Sequence, residues 1–87
     1  MHLESGFLEY EGQKAELTKN EFKILYYLFK NAGKICARGD MIEYLWDNQL
    51  YVDDNALSVN INRIRDKLEK IGLTGFIKTK HRQGYTL

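Results

Sequence analysis

The sequence predicts an α+β fold in which short antiparallel strands precede three helices and a β-hairpin closes them. Three observations predict it. Between Asp54 and Ile71, the residues Leu57, Ile61, Ile64, Leu68 and Ile71 recur at helical spacing, with Asn55, Val59, Asn62, Arg63, Asp66 and Lys70 on the opposite face. Thr18-Lys19-Asn20-Glu21 fits the S/T-x-x-E box that opens a helix. Finally, Phe76 to Tyr85 reads as a hairpin whose tip, Lys80-His81-Arg82-Gln83, is basic.

The elements follow in order. Leu3 to Leu17 alternates loosely. Within it Phe7–Tyr10 and Gln13–Leu17 flank Glu11-Gly12, a hairpin turn. The Thr18 hydroxyl can accept the N–H of Glu21, and the Glu21 carboxylate can reach back to the N–H of Thr18. The helix that follows sets Phe22, Leu25, Leu28 and Phe29 on one side with Ile24 adjacent, and should stop at Asn31-Ala32-Gly33. A second helix runs from Arg38 to Trp46 with Met41, Ile42 and Leu45 inward and Trp46 a further candidate for that face. Asp47 to Asp53 lacks periodicity and reads as a loop. Asp54 can N-cap the third helix, and Gly72 to Gly75 end it. Three helices closed by a terminal hairpin is the winged-helix plan, a helix-turn-helix variant. Its second and third helices form the motif, here with an unusually long turn.

Eighty-seven residues make one domain, 1–87, able to bury one small core. An apolar share of 44% and an aromatic share of 13% exclude a disordered chain. No apolar run is long enough for a membrane span, so no membrane partner is expected. No charged-then-apolar leader opens the chain, which makes a reducing cytoplasm the expected compartment. The single cysteine, Cys36, lies between Ile35 and Ala37 and reads as a buried apolar filler. His2 and His81 lie far apart, Cys36 has no histidine near it in sequence, and neither a metal-ligand spacing nor a glycine-rich phosphate loop appears. An enzyme, a metal and a cofactor are therefore not expected.

Net charge is only +1, but its distribution is uneven. Residues 1–54 hold six Lys/Arg against ten Asp/Glu, a net of −4; residues 55–87 hold seven against two, a net of +5. A basic helix–hairpin unit on an acidic body is the footprint of a nucleic-acid face. On that reading the third helix, about 54–71, enters the major groove of double-stranded DNA, and the wing, about 76–87, lies at the adjacent minor groove. Arg63 is the first candidate for base reading, because a guanidinium can donate two parallel bonds to guanine. Its bland alternative is a surface ion pair with Asp66. Val59 lies on the outward face, where a thymine methyl would match it; an isolated surface valine is equally ordinary. Asn55, Asn60 and Asn62 can bond phosphates or bases, and Arg65 and Lys67 on the flanks can add phosphate contacts. Lys80, His81 and Arg82 form the basic tip, where a cation suits a narrow A·T-rich minor groove. Thr79 and Tyr85 offer hydroxyls to the DNA backbone, although Tyr85 can instead pack under the hairpin.

The chain resembles the C-terminal DNA-binding domain of OmpR/PhoB-type bacterial response regulators. The resemblance runs from about Leu17 to Tyr85. Its marks are Leu17-Thr18-x-x-Glu21-Phe22-x-Ile24-Leu25, Arg38, Leu45-Trp46, Val52-Asp53-Asp54, Val59-Asn60-Ile61-x-Arg63-Ile64-Arg65-x-Lys67-Leu68, Ile77-x-Thr79 and Gly84-Tyr85. Asp53-Asp54-Asn55-x-Leu57-x-Val59-Asn60 also looks like the branch that answers bacitracin and other envelope peptides. The resemblance implies a transcription factor that binds promoter direct repeats as a dimer, controlled by a phosphorylatable receiver domain. It implies base reading at Arg63, phosphate contacts from the Trp46 N–H and Asn60, and a minor-groove role for the His81 position. Two departures stand out. Asn55 and Asn62 replace residues that are basic in many members, and Arg82 replaces a common glycine. The loop Asp47–Asp53, with Leu50, Tyr51 and Val52, is implied to touch RNA polymerase. The start at Met1-His2-Leu3, without a receiver, reads as an isolated effector piece, monomeric by itself. The rival reading is a pure protein-interaction module, but such a module has no reason to keep the charge split.

Overall fold

Local signals in the chain set where each element begins, and the computed structural model describes residues 2–87. Strands β1 (His2–Glu4), β2 (Phe7–Tyr10) and β3 (Gln13–Glu16) form an antiparallel sheet in the order β1-β2-β3. The expected hairpin is β2–β3. Its turn carries positive φ at both Glu11 (50°) and Gly12 (81°), the twist that suits a two-residue hairpin. The sequence reading missed β1, which adds Leu3 opposite Leu8. Three residues hold too little alternation to announce a strand.

Helix α1 (Lys19–Lys30) opens on the predicted capping box. The Thr18 N–H donates to Glu21 Oε1 at 2.8 Å, and the Glu21 N–H donates to Thr18 Oγ1 at 3.2 Å. Ile24, Leu25 and Leu28 are buried, while Phe22 and Phe29 sit half-buried at the edges of the stripe. Helix α2 (Arg38–Asp47) buries Met41 and Leu45, with Ile42 half-buried. Trp46 faces outward instead, 54% exposed. Helix α3 (Asp54–Lys70) buries Leu57, Ile61, Ile64 and Leu68, as its spacing predicts. Its N-cap is Asp53, whose carboxylate accepts from the Ala56 N–H at 2.7 Å. Asp54, the expected cap, is the first helical residue, and Arg38 holds its carboxylate.

The wing is a hairpin of β4 (Lys78–Lys80) and β5 (Gly84–Thr86), with Thr79 opposite Tyr85. It is shorter than the predicted run. Phe76 and Ile77 leave the ladder for the core, where Phe76 meets Phe29 edge-on at 6.0 Å. Backbone bonds between Cys36 and Tyr85 (2.7 and 3.0 Å) tie β5 to the segment before α2. Cys36 is buried as expected. The loop ahead of α3, in which the sequence reading exposes the apolar residues Leu50, Tyr51 and Val52, buries Val52 and half-buries Leu50, so of the three Tyr51 alone is exposed (74%).

Candidate nucleic-acid interface

Burying the Leu57–Ile61–Ile64–Leu68 stripe fixes the rotation of α3 and turns Asn55, Val59, Asn62, Arg63 and Asp66 outward. Residues four apart rise about 6 Å along a helix, so Asn55, Val59 and Arg63 form one row. Arg63 makes no ion pair with Asp66; among the described residues its guanidinium has no carboxylate partner. Val59 stands 37% exposed beside it.

Ser58 and Arg65 lie roughly a third of a turn round from Val59, on the flank that meets the wing. Arg65 Nε and Nη2 donate to the Ile77 carbonyl at 3.2 and 3.0 Å, and Nη2 also donates to Thr79 Oγ1. From the other side, Arg38 donates through Nε to Asp54 Oδ1 (3.0 Å), and through Nη2 to the Asp54 carbonyl (2.6 Å) and Ser58 Oγ (2.8 Å). Its Nη1 donates to the Tyr85 hydroxyl. Both guanidiniums approach the Tyr85 ring, at 5.5 Å for Arg38 and 5.7 Å for Arg65. The wing is thus pinned to α3 with its tip, Lys80-His81-Arg82, projecting and exposed. The tip turn closes with the Gln83 N–H donating to the Lys80 carbonyl and places Arg82 at φ 60°.

Several expected contact residues are occupied elsewhere. Asn60 is buried and donates to the Ala56 carbonyl at 2.9 Å, because its helical position falls beside Ile61 and Ile64. Lys67 turns to the far side of α3, where it pairs at 2.6 Å with Glu21, a carboxylate only 1% exposed. Burial pushes the Glu21 carboxyl upward, but Lys67 and the Thr18 N–H outweigh it, so the group is held below its ordinary range. The Trp46 N–H donates to the Val52 carbonyl at 3.0 Å, which fixes the indole against the loop. Tyr85 is 5% exposed and packs under the wing, the second of its two predicted roles. Arg65 donates to the Ile77 carbonyl and to Thr79 Oγ1, which engages both side chains within the protein. Asn55, Asn62, Lys80, His81 and Arg82 remain exposed.

The sequence reading gave Arg38 no place in the site. A signal was present. A cation at the first position of a helix opposes the helix dipole and calls for a carboxylate nearby. Asp54, sixteen residues on, supplies it.

A helix with an open outward row, followed by a pinned basic hairpin, defines a winged-helix domain of the DNA-binding regulatory class. The family described as "Transcriptional regulatory protein, C terminal" matches residues 12–87, and the chain belongs to it: this is the DNA-binding effector domain of an OmpR/PhoB-type response regulator. The sensory transduction protein BceR of Halalkalibacterium halodurans is 47% identical over 70 residues, covering 80% of this chain and 30% of that protein. The C-terminal domain of the nisin resistance regulator NsrR superposes with a TM-score of 0.87 at 33% identity, covering 94% of this chain and 84% of that one. The DNA-binding domain of Klebsiella pneumoniae RstA, solved in complex with the RstA box, gives a TM-score of 0.75 at 27% identity, covering 93% and 81%. The chain spans about a third of the length of the curated relatives it matches. The family is one of DNA-binding regulators, not enzymes. No helix among the described residues is long and apolar enough to cross a membrane.

Proposed function

We propose that this domain binds double-stranded DNA sequence-specifically, with α3 in the major groove and the wing tip at the adjoining minor groove. The observation that carries the reading is the open row Asn55, Val59, Arg63 with its neighbour Asn62. These side chains are exposed and unpaired on the N-terminal two-thirds of α3, beside a wing fixed at its flank, whereas the other exposed, unpaired residues of the helix, Asp66, Glu69 and Lys70, lie nearer its C-terminal end and two of the three are acidic. Arg63 reads a guanine edge and Val59 meets a thymine methyl. Asn55, Asn62 and Lys80 bond the DNA backbone, and Arg82 or His81 enters the minor groove. Two copies occupy direct repeats about one helical turn apart, and avidity offsets the modest affinity of one small domain. In the full protein a receiver domain governs this pairing, and the isolated domain is a monomer in the cytoplasm. RNA polymerase is a second partner. The exposed Tyr51, meeting Trp46 edge-on at 5.9 Å, offers an aromatic knob beside the DNA face.

Selection of bound duplexes from a random pool tests the reading and yields the site. On the selected duplex, Arg63→Ala should weaken binding by about 1–3 kcal/mol, the range for a bidentate base contact. Binding to random duplex should change less. Equal losses on both would refute base reading by Arg63.

A further inference from the structure

We propose that Arg38 is a positioning residue for DNA recognition: its guanidinium fork sets the spacing between α3 and the wing. The proposal rests on the two-element reading above. Three of its acceptors, Asp54 Oδ1, the Asp54 carbonyl and Ser58 Oγ, belong to the first turns of α3, which also carry Asn55 and Val59. The fourth, the Tyr85 hydroxyl, belongs to β5. Tyr85 pairs with Thr79, the residue before Lys80 at the wing tip. One side chain on a third element, α2, therefore bonds both elements of the proposed interface at once.

The buried strand β5, Ile77 and the Arg65 bonds anchor the base of the hairpin, and Arg38 adds the link from α2 to both the start of α3 and β5. Every residue of β4 is exposed, so its side chains bury no surface that would orient the hairpin. The Cys36–Tyr85 bonds tether β5 to the α2 lead-in but do not touch α3. Arg65 joins α3 to β4 further along the helix, so the two arginines act as separate braces on the two wing strands. A guanidinium suits the task because its planar fork serves several acceptors in fixed directions, which a lysine ammonium cannot reproduce. Arg38 spends its Nε and both terminal nitrogens inside the protein. Its role is to hold two contact elements in register, not to neutralise a phosphate.

The test compares Arg38→Lys, Arg38→Met and Tyr85→Phe with the parent domain. In free protein, amide exchange and NMR shifts should report a loosened wing while the α1 and α3 core amides stay protected. On the selected duplex, Arg38→Met should bind about tenfold or more weakly, the scale of losing two or more charged hydrogen bonds that hold the bound geometry. The slope of log affinity against log salt should stay as in the parent. Tyr85→Phe, which deletes only one acceptor and leaves the ring, should lose part of the affinity in the same way. It also carries the test if Arg38→Met fails to fold. Arg38→Lys should not restore binding. A slope shallower by about one in Arg38→Met would mark a direct phosphate contact and overturn the proposal. So would parent-like affinity in both Arg38→Met and Tyr85→Phe, or full rescue by lysine. If the parent selects no duplex, the DNA reading fails, while the free-protein measurements still decide whether Arg38 braces the wing.

Discussion

At the scale of single residues, two side chains sit in costly settings that make their energetics readable. Glu21 is a nearly inaccessible carboxylate held by Lys67 and by the Thr18 N–H. Its folded carboxyl titrates below the ordinary value of 4.5, so it contributes stability above that pH, and this is lost as pH falls through the lowered value. Lys67→Met should cost about 3 kcal/mol near neutrality, because it strands a buried charge. The unpaired carboxyl would then titrate high, so the deficit relative to the parent should shrink on acidification. Urea denaturation at several pH values checks this, and a pH-independent deficit would contradict it. Arg82 takes a left-handed conformation that glycine adopts at less cost. Arg82→Gly should leave stability unchanged or raise it by up to about 1 kcal/mol. The same change should weaken DNA binding and flatten its salt dependence, separating the residue's structural strain from its proposed contact. An unchanged salt slope would remove the tip from the interface.

At the scale of elements, the wing depends on one close approach. A Cβ on Gly84, at φ 144°, would lie 1.9 Å from the Cys36 carbonyl oxygen and 2.8 Å from its carbon. Both atoms are backbone and cannot swing aside. Gly84→Ala should therefore break the Cys36–Tyr85 bonds and cost about 2–4 kcal/mol, combining backbone strain with overpacking. Thermal denaturation and the amide exchange of Cys36 and Tyr85 measure the two effects. Parent-like protection of those amides would show that the hairpin can shift without penalty. The start of α3 is a milder case: Asp53→Ala removes its cap and should cost about 1 kcal/mol.

At the scale of the whole molecule, the acidic N-terminal part and the basic C-terminal part meet internally as well as at the surface. Lys67 of the basic part pairs with Glu21 of the acidic part, and Arg38, itself within the acidic part, pairs with Asp54 there and donates across to the Tyr85 hydroxyl. Each such pairing withdraws a cation from any partner. With Lys67, Arg38 and Arg65 engaged inside the protein, few cations remain near the proposed DNA face. The slope of log affinity against log salt should then be about −2 to −4 per copy, as each neutralised phosphate contributes roughly −0.9. Titration across a range of salt concentrations checks this. A much steeper slope would mean that the internal pairs open on binding.

The sequence by itself determined the helices, their order, the buried face of α3 and the terminal hairpin. Period, capping box and turn residues act over a few positions, so they can be read without the fold. The outward row Asn55, Val59, Asn62, Arg63 follows from the same arithmetic, since it is the complement of the apolar stripe. Only the tertiary structure decided which polar side chains are free. Asn60, Arg65, Lys67, Thr79 and the Trp46 N–H all looked available along the chain. Each proved to have a partner supplied by folding, whether one turn away on its own helix, in the adjoining loop, or on another element altogether. Arg38 shows the converse. Its acceptors lie 16, 20 and 47 residues distant, so a cation at a helix start could signal the need for a partner, but only the fold could say which ones.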